Sequence, residues 1–437
     1  MIKRIGIIRE TKNEWERRTP LIPVDIKKLS KEIPVRFVVQ PSPLRVYSTD
    51  EYLKNDAESA DELSTCEMIL GIKEVKVTDL LADKIYLFFS HTIKGQAYNM
   101  PMLRQIIKLK DTLIDYEKMI DEKGQRLIYF SYHAGLAGVI DTLWAVGQKL
   151  AREGIDSPFA GIKHSLKYAN LDVAIASFQE VADNIKKSGL PAAISPFIIG
   201  ITGYGNVSRG VQQLLDFLPV VPVTPADLPV VRKSTNPERN KILKVVFREE
   251  DMVEPENPAQ KFDLQDYYQH PEKYRSRFEQ HAAYLNVLIN TSYWNRQYPK
   301  HVTKKFIREL YAAEQKPALR VIGDISCDVE GGIECTLKTT TPGNPVYIYL
   351  PDRDEARDGF EGHGPLVMSV DNLPCEIPAE ASTYFSSILS KLIPELVQAD
   401  YGRDFSSLNL PPSLKKAVVV YKGELTPDYK YLRQYLD

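Results

Sequence analysis

One stretch limits the fold more than any other: Pro196 to Leu218, PFIIGITGYGNVSRGVQQLLDFL. Phe197, Ile198, Ile199 and Ile201 form a short apolar run that suits a buried parallel strand. The run ends at Gly203-Tyr204-Gly205-Asn206, where two glycines permit a tight turn and close approach of backbone to a ligand. Val211, Leu214, Leu215 and Leu218 then recur at helical spacing. Strand, glycine turn and helix in that order make half of a dinucleotide-binding unit, with helix N–H groups aimed at a pyrophosphate. Ser208 stands where a third glycine is usual, and Gly210 follows. An ordinary strand-to-helix turn is the plainer alternative.

The chain has 437 residues, so two or three domains are expected at about 150 residues each. Hydrophobic and charged fractions of 43% and 26% are those of an ordinary globular protein. A net charge of −2 without a basic block argues against nucleic acid as a partner. Cys66, Cys327, Cys335 and Cys375 are scattered, and no histidine pair has metal-ligand spacing, so no metal is assigned. No secretory signal or bilayer-spanning run is evident, and a soluble, cytoplasmic protein is expected.

Residues 4–130 alternate between short strand-like runs (Ile5–Ile8, Val35–Val39, Met68–Ile72, Ile85–Phe89, Leu113–Tyr116, Leu127–Phe130) and helical segments (Asp25–Leu29, Asp50–Lys54, Met100–Leu109). That alternation predicts an α/β fold with a parallel sheet. A connecting helix is expected over Gly135–Glu153 and another over Leu171–Lys187, stopped by Gly189 and Pro191. Further strands are expected at Leu243–Phe247, Val287–Asn290, Leu319–Ile325, Tyr347–Leu350 and Val367–Val370. Residues 249–282 read as an insertion and 330–345 as a loop. A last helix, Ala379–Val397, lies too late for the nucleotide sheet and is expected to return to the first domain. The expected division is two Rossmann-like domains: 1–133 completed by 379–437 for substrate, and 134–378 for the dinucleotide.

Ligands bind at strand ends in parallel sheets. Lys73-Glu74, then His91 with Lys94 and Gln96 beyond it, then Glu117, follow three successive strands, and Arg126 opens the next. Adjacent strands lie about 5 Å apart. Lys73 and His91 are therefore expected to interact, desolvation and repulsion moving both toward neutrality for acid–base work. Asp115 reads equally as a strand-end cap, and His91 alone as a structural hydrogen-bonder. Arg9, Lys12, Arg17 and Arg18 follow the first strand, where arginine suits a carboxylate and a solvated basic loop is the alternative. About 20 residues past the first glycine, where an NAD site carries an acid, stands Val223; the next acid is Asp227. With Arg209 in the loop and Arg232-Lys233 downstream, the cofactor reading leans to NADP over NAD.

The opening RETKNEWERRTPLIP resembles the N-terminal domain of the alanine dehydrogenase and transhydrogenase superfamily. GIKEV, FFSHTIKGQ, LIDYEKMID, YHAGLAGVID, GYGNVSRG, HPEKYRSRF, LINTSYW, DISCDVEGGIE and SVDNLPCEIPAEAS, in that order, resemble the lysine–ketoglutarate reductase half of α-aminoadipic semialdehyde synthases, with PDYKYL near the C-terminus. The lysine-forming saccharopine dehydrogenases are a more distant likeness. The resemblance implies condensation of L-lysine with 2-oxoglutarate and reduction of the imine by NADPH to saccharopine, the first step of lysine degradation. It implies Lys73 and His91 as the acid–base pair, Arg18, Gln96 and Arg126 as substrate contacts, and Glu117 near the reacting amine. Glu74 and Lys94 complete the expected substrate set. Gly203, Gly205, Asn206, Val207, Ser208 and Arg209 are the expected pyrophosphate loop, with Asn290, Asp324, Asp371 and Asn372 toward the nicotinamide. The expectation is a free-standing reductase whose domains face one another across the nicotinamide. A homo-oligomer and a separate saccharopine dehydrogenase partner stay open. So do two other functions: an alanine-dehydrogenase-like enzyme and a catalytically silent NADP-binding sensor.

Overall fold

Short apolar runs bounded by glycine, proline and capping residues become the strands of two eight-stranded sheets. In the computed structural model, residues 2–436 are described, and the chain divides into two units: Met1–Phe130 with Pro378–Asp437, and Ser131–Ile377.

Across the first sheet the order is Glu424–Leu425, Val418–Tyr421, Thr112–Asp115, Ile85–Phe88, Met68–Leu70, Arg4–Ile7, Arg36–Val39 and Glu58–Ser59. The six strands from the N-terminal part run parallel, whereas Val418–Tyr421 pairs antiparallel with Thr112–Asp115. The sheet is thus mixed, not purely parallel. Its inner strands are buried on both faces because helices cover them, as their uninterrupted apolar composition requires. Helix Pro378–Gln398 contributes Phe385, Leu389 and Ile393 to this core.

Leu127–Phe130 is not a strand. Arg126 forms one isolated bridge with Ile120, and the aromatic run packs on a helix instead. The Phe130 ring stacks on Phe385 at 5.4 Å and 15°, with the Arg18 guanidinium 4.5 Å from its centroid. Aromatic content alone does not distinguish a sheet from a helix as the surface being covered.

The second sheet has the order Glu355–Asp358, Val346–Leu350, Leu366–Met368, Val321–Asp324, Val287–Asn290, Ile198–Thr202, Ile242–Phe247 and Val220–Pro222. It is parallel except for Val346–Leu350 and Glu355–Asp358. Residues 249–282 hold short helices and a two-stranded ribbon of Val253–Pro255 with Tyr274–Ser276. Asn170 caps helix Leu171–Ser188, and Gly189 at φ +73° ends it.

Helix Asn206–Leu215 leaves the glycine turn and packs against helix Ser131–Arg152. A Cβ at Gly210 would lie 2.2 Å from the Tyr132 carbonyl oxygen, and one at Gly135 2.0 Å from that of Val207. Gly210 therefore does the close-packing work usually given to the third glycine, which leaves Ser208 free to be buried as a small polar residue.

Candidate active site

Strands Met68–Leu70, Ile85–Phe88 and Thr112–Asp115 are neighbours, so the residues that follow them share one edge of the first sheet. His91 has φ +49°, a left-handed backbone that histidine tolerates better than most residues. Its Nδ1 lies 2.7 Å from Glu74 Oε1, and its ring stacks on Phe89 at 6.4 Å. The same oxygen meets Lys12 Nζ at 3.2 Å and Asn99 Nδ2 at 3.4 Å, while Asn99 also donates to the His91 carbonyl at 3.2 Å. Burial opposes the Glu74 charge, but the hydrogen bond and charge of His91, with that of Lys12, hold it down at about 2. Glu74, expected to meet substrate or tune Lys73, is thus given to His91. Its Oε2 is buried with no hydrogen-bond partner.

Lys73 sits beside this group with its backbone fixed: Glu10 accepts the N–H groups of Ile72 at 2.6 Å and Lys73 at 3.0 Å. Burial, and then the neighbouring Glu16 charge, push the Glu10 carboxyl up to about 7. Sequence reasoning missed Glu10, although it is the second residue of the RETK segment that follows the first strand. Arg18 is 2% exposed and its guanidinium engages Glu16, Nε to Oε1 at 2.7 Å and Nη2 to Oε2 at 2.6 Å. Glu117 and Arg126, both expected to meet substrate, are paired with one another. Asp115 accepts from the Glu117 N–H at 2.8 Å and from the Ser90 hydroxyl, and burial raises its carboxyl to about 6. It is the cap the sequence allowed. Lys94 is exposed, and Gln96 keeps a buried Oε1 without a hydrogen-bond partner.

In the second unit, Gly203 has φ +80° and Gly205 caps helix Asn206–Leu215. A Cβ at Gly205 would meet nothing within 4 Å, so protein packing does not demand glycine there; glycine keeps the space above the helix N-terminus clear. A cavity of about 520 Å³ opens on Gly203, Gly205, Asn206 and Val207, and is walled by Glu249, Tyr268, Ser292, Tyr293 and His301. These features fit a nucleotide pyrophosphate. Arg209 is turned onto Asn206. Asn290 is a buried junction: it donates to Asp324 at 2.8 Å and Ser326 at 2.7 Å, and accepts from Thr202 at 2.6 Å. Burial raises the Asp324 carboxyl against hydrogen bonds from Thr336, Asn290 and Ser326. Asp371 is exposed, and Asn372 precedes the turn Leu373–Glu376. His301, fully buried, is pushed down to about 4, with Nε2 3.0 Å from Ser292 Oγ.

Position 223, about 20 residues past the first glycine, carries no acid. Val223 follows the edge strand Val220–Pro222, and the strand beside Ile198–Thr202 is Ile242–Phe247. Its end carries Arg248 and Glu249. Glu249 Oε1 accepts from the Tyr268 hydroxyl at 2.8 Å, and its Oε2 is buried with no hydrogen-bond partner. The Arg248 guanidinium lies 5.4 Å over the Tyr204 ring.

Among the described residues, no helix is long and apolar enough to cross a membrane. Residues 6–137 match the family model "Alanine dehydrogenase/PNT, N-terminal domain", and residues 230–428 match the corresponding C-terminal domain. Alpha-aminoadipic semialdehyde synthase of Arabidopsis thaliana is 37% identical over 98% of the chain and 41% of its own length. The mitochondrial protein of that name from Rattus norvegicus is 34% identical over 98% and 47%. The chain thus spans less than half the length of these relatives. The NAD(+), L-lysine-forming saccharopine dehydrogenase of Neurospora crassa is 27% identical, with 89% of each chain covered. A solved L-alanine dehydrogenase shares the fold at TM-score 0.63 and 15% identity, covering 99% of this chain and 100% of its own. The two domain models, the paired α/β sheets and the glycine turn agree: the chain belongs to the alanine dehydrogenase/PNT family of oxidoreductases.

Proposed function

We propose that the chain is a lysine–ketoglutarate reductase, joining the L-lysine ε-amine to the ketone of 2-oxoglutarate and reducing the imine with NADPH to saccharopine and NADP+. The observation that carries the reading is the His91–Glu74 pair beside Lys73, on neighbouring strand ends. The likeness to α-aminoadipic semialdehyde synthases over 98% of the chain supports it.

The lysine ammonium, with an ordinary pKa of about 10.4, must lose a proton before attack, and the carbinolamine must gain one to expel water. Glu74 orients the His91 ring through Nδ1, which gives Nε2 the proton work. Lys73 exchanges the second proton from a backbone pinned by Glu10. Substrate carboxylates draw Arg126 away from Glu117, releasing the Glu117 carboxylate to an ammonium. Arg18, locked on Glu16, shapes the site; Lys94 and Gln96 complete its polar rim. NADPH supplies the hydride when bound. Gly203, Gly205, Asn206, Val207 and Ser208 would hold its pyrophosphate, and the Asn290–Asp324 junction would face its nicotinamide.

Arg248 over Tyr204 supports a 2′-phosphate. One observation favours NADH instead: the unpartnered Oε2 of Glu249 suits a ribose 2′-hydroxyl. The test is oxidation of NADPH and of NADH by the purified chain with lysine plus 2-oxoglutarate, and with pyruvate plus ammonia. Turnover confined to the first pair is expected. Turnover only with the second would make this an alanine-dehydrogenase-like enzyme, and tight nicotinamide binding without turnover a sensor.

A further inference from the structure

Three ligand-bearing side chains meet inside the second unit, well apart in sequence. Asp141 belongs to helix Ser131–Arg152, His164 precedes the turn Ser165–Lys167, and Glu376 ends the turn Leu373–Glu376. All are buried, Asp141 and Glu376 to 0% and 3% exposure. One ligand atom from each lies within 4.8 Å of the other two. Asp141 Oδ2, His164 Nε2 and Glu376 Oε1 all lack a hydrogen-bond partner.

The other oxygens show how the group is aimed. Ser165 donates its N–H to Asp141 Oδ1 at 2.9 Å and its hydroxyl to Glu376 Oε2. One residue therefore fixes both carboxylates, and each directs its remaining oxygen inward. Trp144 braces the imidazole, with ring centroids 5.2 Å apart. His164 Nε2 and Asp141 Oδ2 are 3.5 Å apart. Two ligands on one ion at about 2.1 Å in tetrahedral geometry are separated by about 3.4 Å. A neutral imidazole and two carboxylates carry two negative charges, which is costly in a buried site unless a cation meets them.

We infer that Asp141, His164 and Glu376 form a structural divalent-cation site, of the borderline class typified by Zn²⁺, positioned by Ser165. One nitrogen and two carboxylate oxygens suit such an ion better than a soft, thiolate-seeking one. The ion joins the helix that opens the second unit to the turn that closes it. Spacing along the sequence does not reveal the site, because each ligand comes from a separate segment. The competing arrangement is a proton shared by the carboxyls beside an imidazolium.

The experiment treats the full chain with chelator and titrates it with Zn²⁺ alone, reading stoichiometry by elemental analysis and stability by thermal unfolding. One ion per chain and a rise in Tm are expected. His164→Gln and Glu376→Gln should lose the ion, and Ser165→Ala should weaken it by about 10- to 100-fold. Should the ligand variants fail to fold, Co²⁺-loaded wild type gives the same decision: a tetrahedral d–d spectrum without a sulfur-to-metal band supports the site. Substoichiometric metal with an unmoved Tm, or a thiolate band, overturns it.

Discussion

The Nδ1 atom of His91 lies 2.7 Å from Oε1 of Glu74, although the two residues leave different strands. The contact couples a left-handed backbone at His91 to a carboxylate that stays ionised down to about pH 2. Such strain persists only where the surroundings hold it, and Glu74 and Asn99 hold both the ring and the carbonyl of His91.

Glu74→Gln keeps the shape and removes the charge. We expect kcat to fall by about 10- to 100-fold and its pH profile to move, with nicotinamide affinity unchanged. The stability contribution has the sign of a depressed carboxyl: fully present above the ordinary value of 4.5, and lost as pH falls through about 2. Urea unfolding of wild type against variant should show a gap that closes over that window.

Lys73→Met and His91→Ala should each lower kcat by about 10²- to 10⁴-fold while leaving NADPH affinity in place. Steady-state rates with lysine and 2-oxoglutarate, beside fluorescence titration of NADPH, check this. An unchanged kcat in either variant removes that residue from the proton transfers.

Asp111 has the opposite sign. It is buried, accepts the Lys84 N–H at 2.8 Å, and keeps Oδ2 without a hydrogen-bond partner. Burial first, and then the Asp83 charge, raise its carboxyl to about 7. Its contribution is present below 3.8 and is lost as pH rises through about 7. Asp111→Asn should therefore raise Tm by about 2–4 °C at pH 8, the gain vanishing near pH 4; a gain equal at both pH values would refute the assignment.

Gly135→Ala and Gly210→Ala place a methyl group against backbone carbonyls at 2.0 and 2.2 Å. Because the Val207 carbonyl belongs to the glycine-turn helix, both variants should lose nicotinamide affinity as well as stability, by about 1–3 kcal/mol. Calorimetric titration and thermal unfolding read the two effects together.

At the ribose end, Arg248→Ala should raise KM for NADPH and spare NADH, whereas Glu249→Gln should raise KM for NADH alone. Reversed effects would exchange the two roles.

The strands and long helices were legible because β-branched runs and helical spacing each carry a period that burial enforces. Glycine turn and helix were legible for the same reason, whereas the close packing of Gly210 on Tyr132 emerges only from the structure. Leu127–Phe130 misled because an aromatic run facing Phe385 has the composition of a strand. Val220–Pro222 is only three residues long, ends in proline and lies at the sheet edge, so it carries too little period to be read as a strand, and the neighbour of Ile198–Thr202 that presents Arg248 and Glu249 is identified by pairing alone. Pairings such as His91 with Glu74, Glu117 with Arg126, and Arg18 with Glu16 are settled by side-chain geometry across strand ends. Spacing supplies the candidates there and not the partners.

The antiparallel pairing of Val418–Tyr421 with Thr112–Asp115 sets an order of assembly during synthesis. The interior unit is one uninterrupted segment and can mature while the ribosome is still working, whereas the terminal one waits for a strand made some 300 positions later (Lys422 donates its N–H to Thr112 across a separation of 310). Until then the edge of Thr112–Asp115 stays bare, a temporary docking place for other extended chains. Nascent protein halted before Val418 should therefore be protease-sensitive in its first 130 residues and after Ile377, and resistant over Ser131–Ile377.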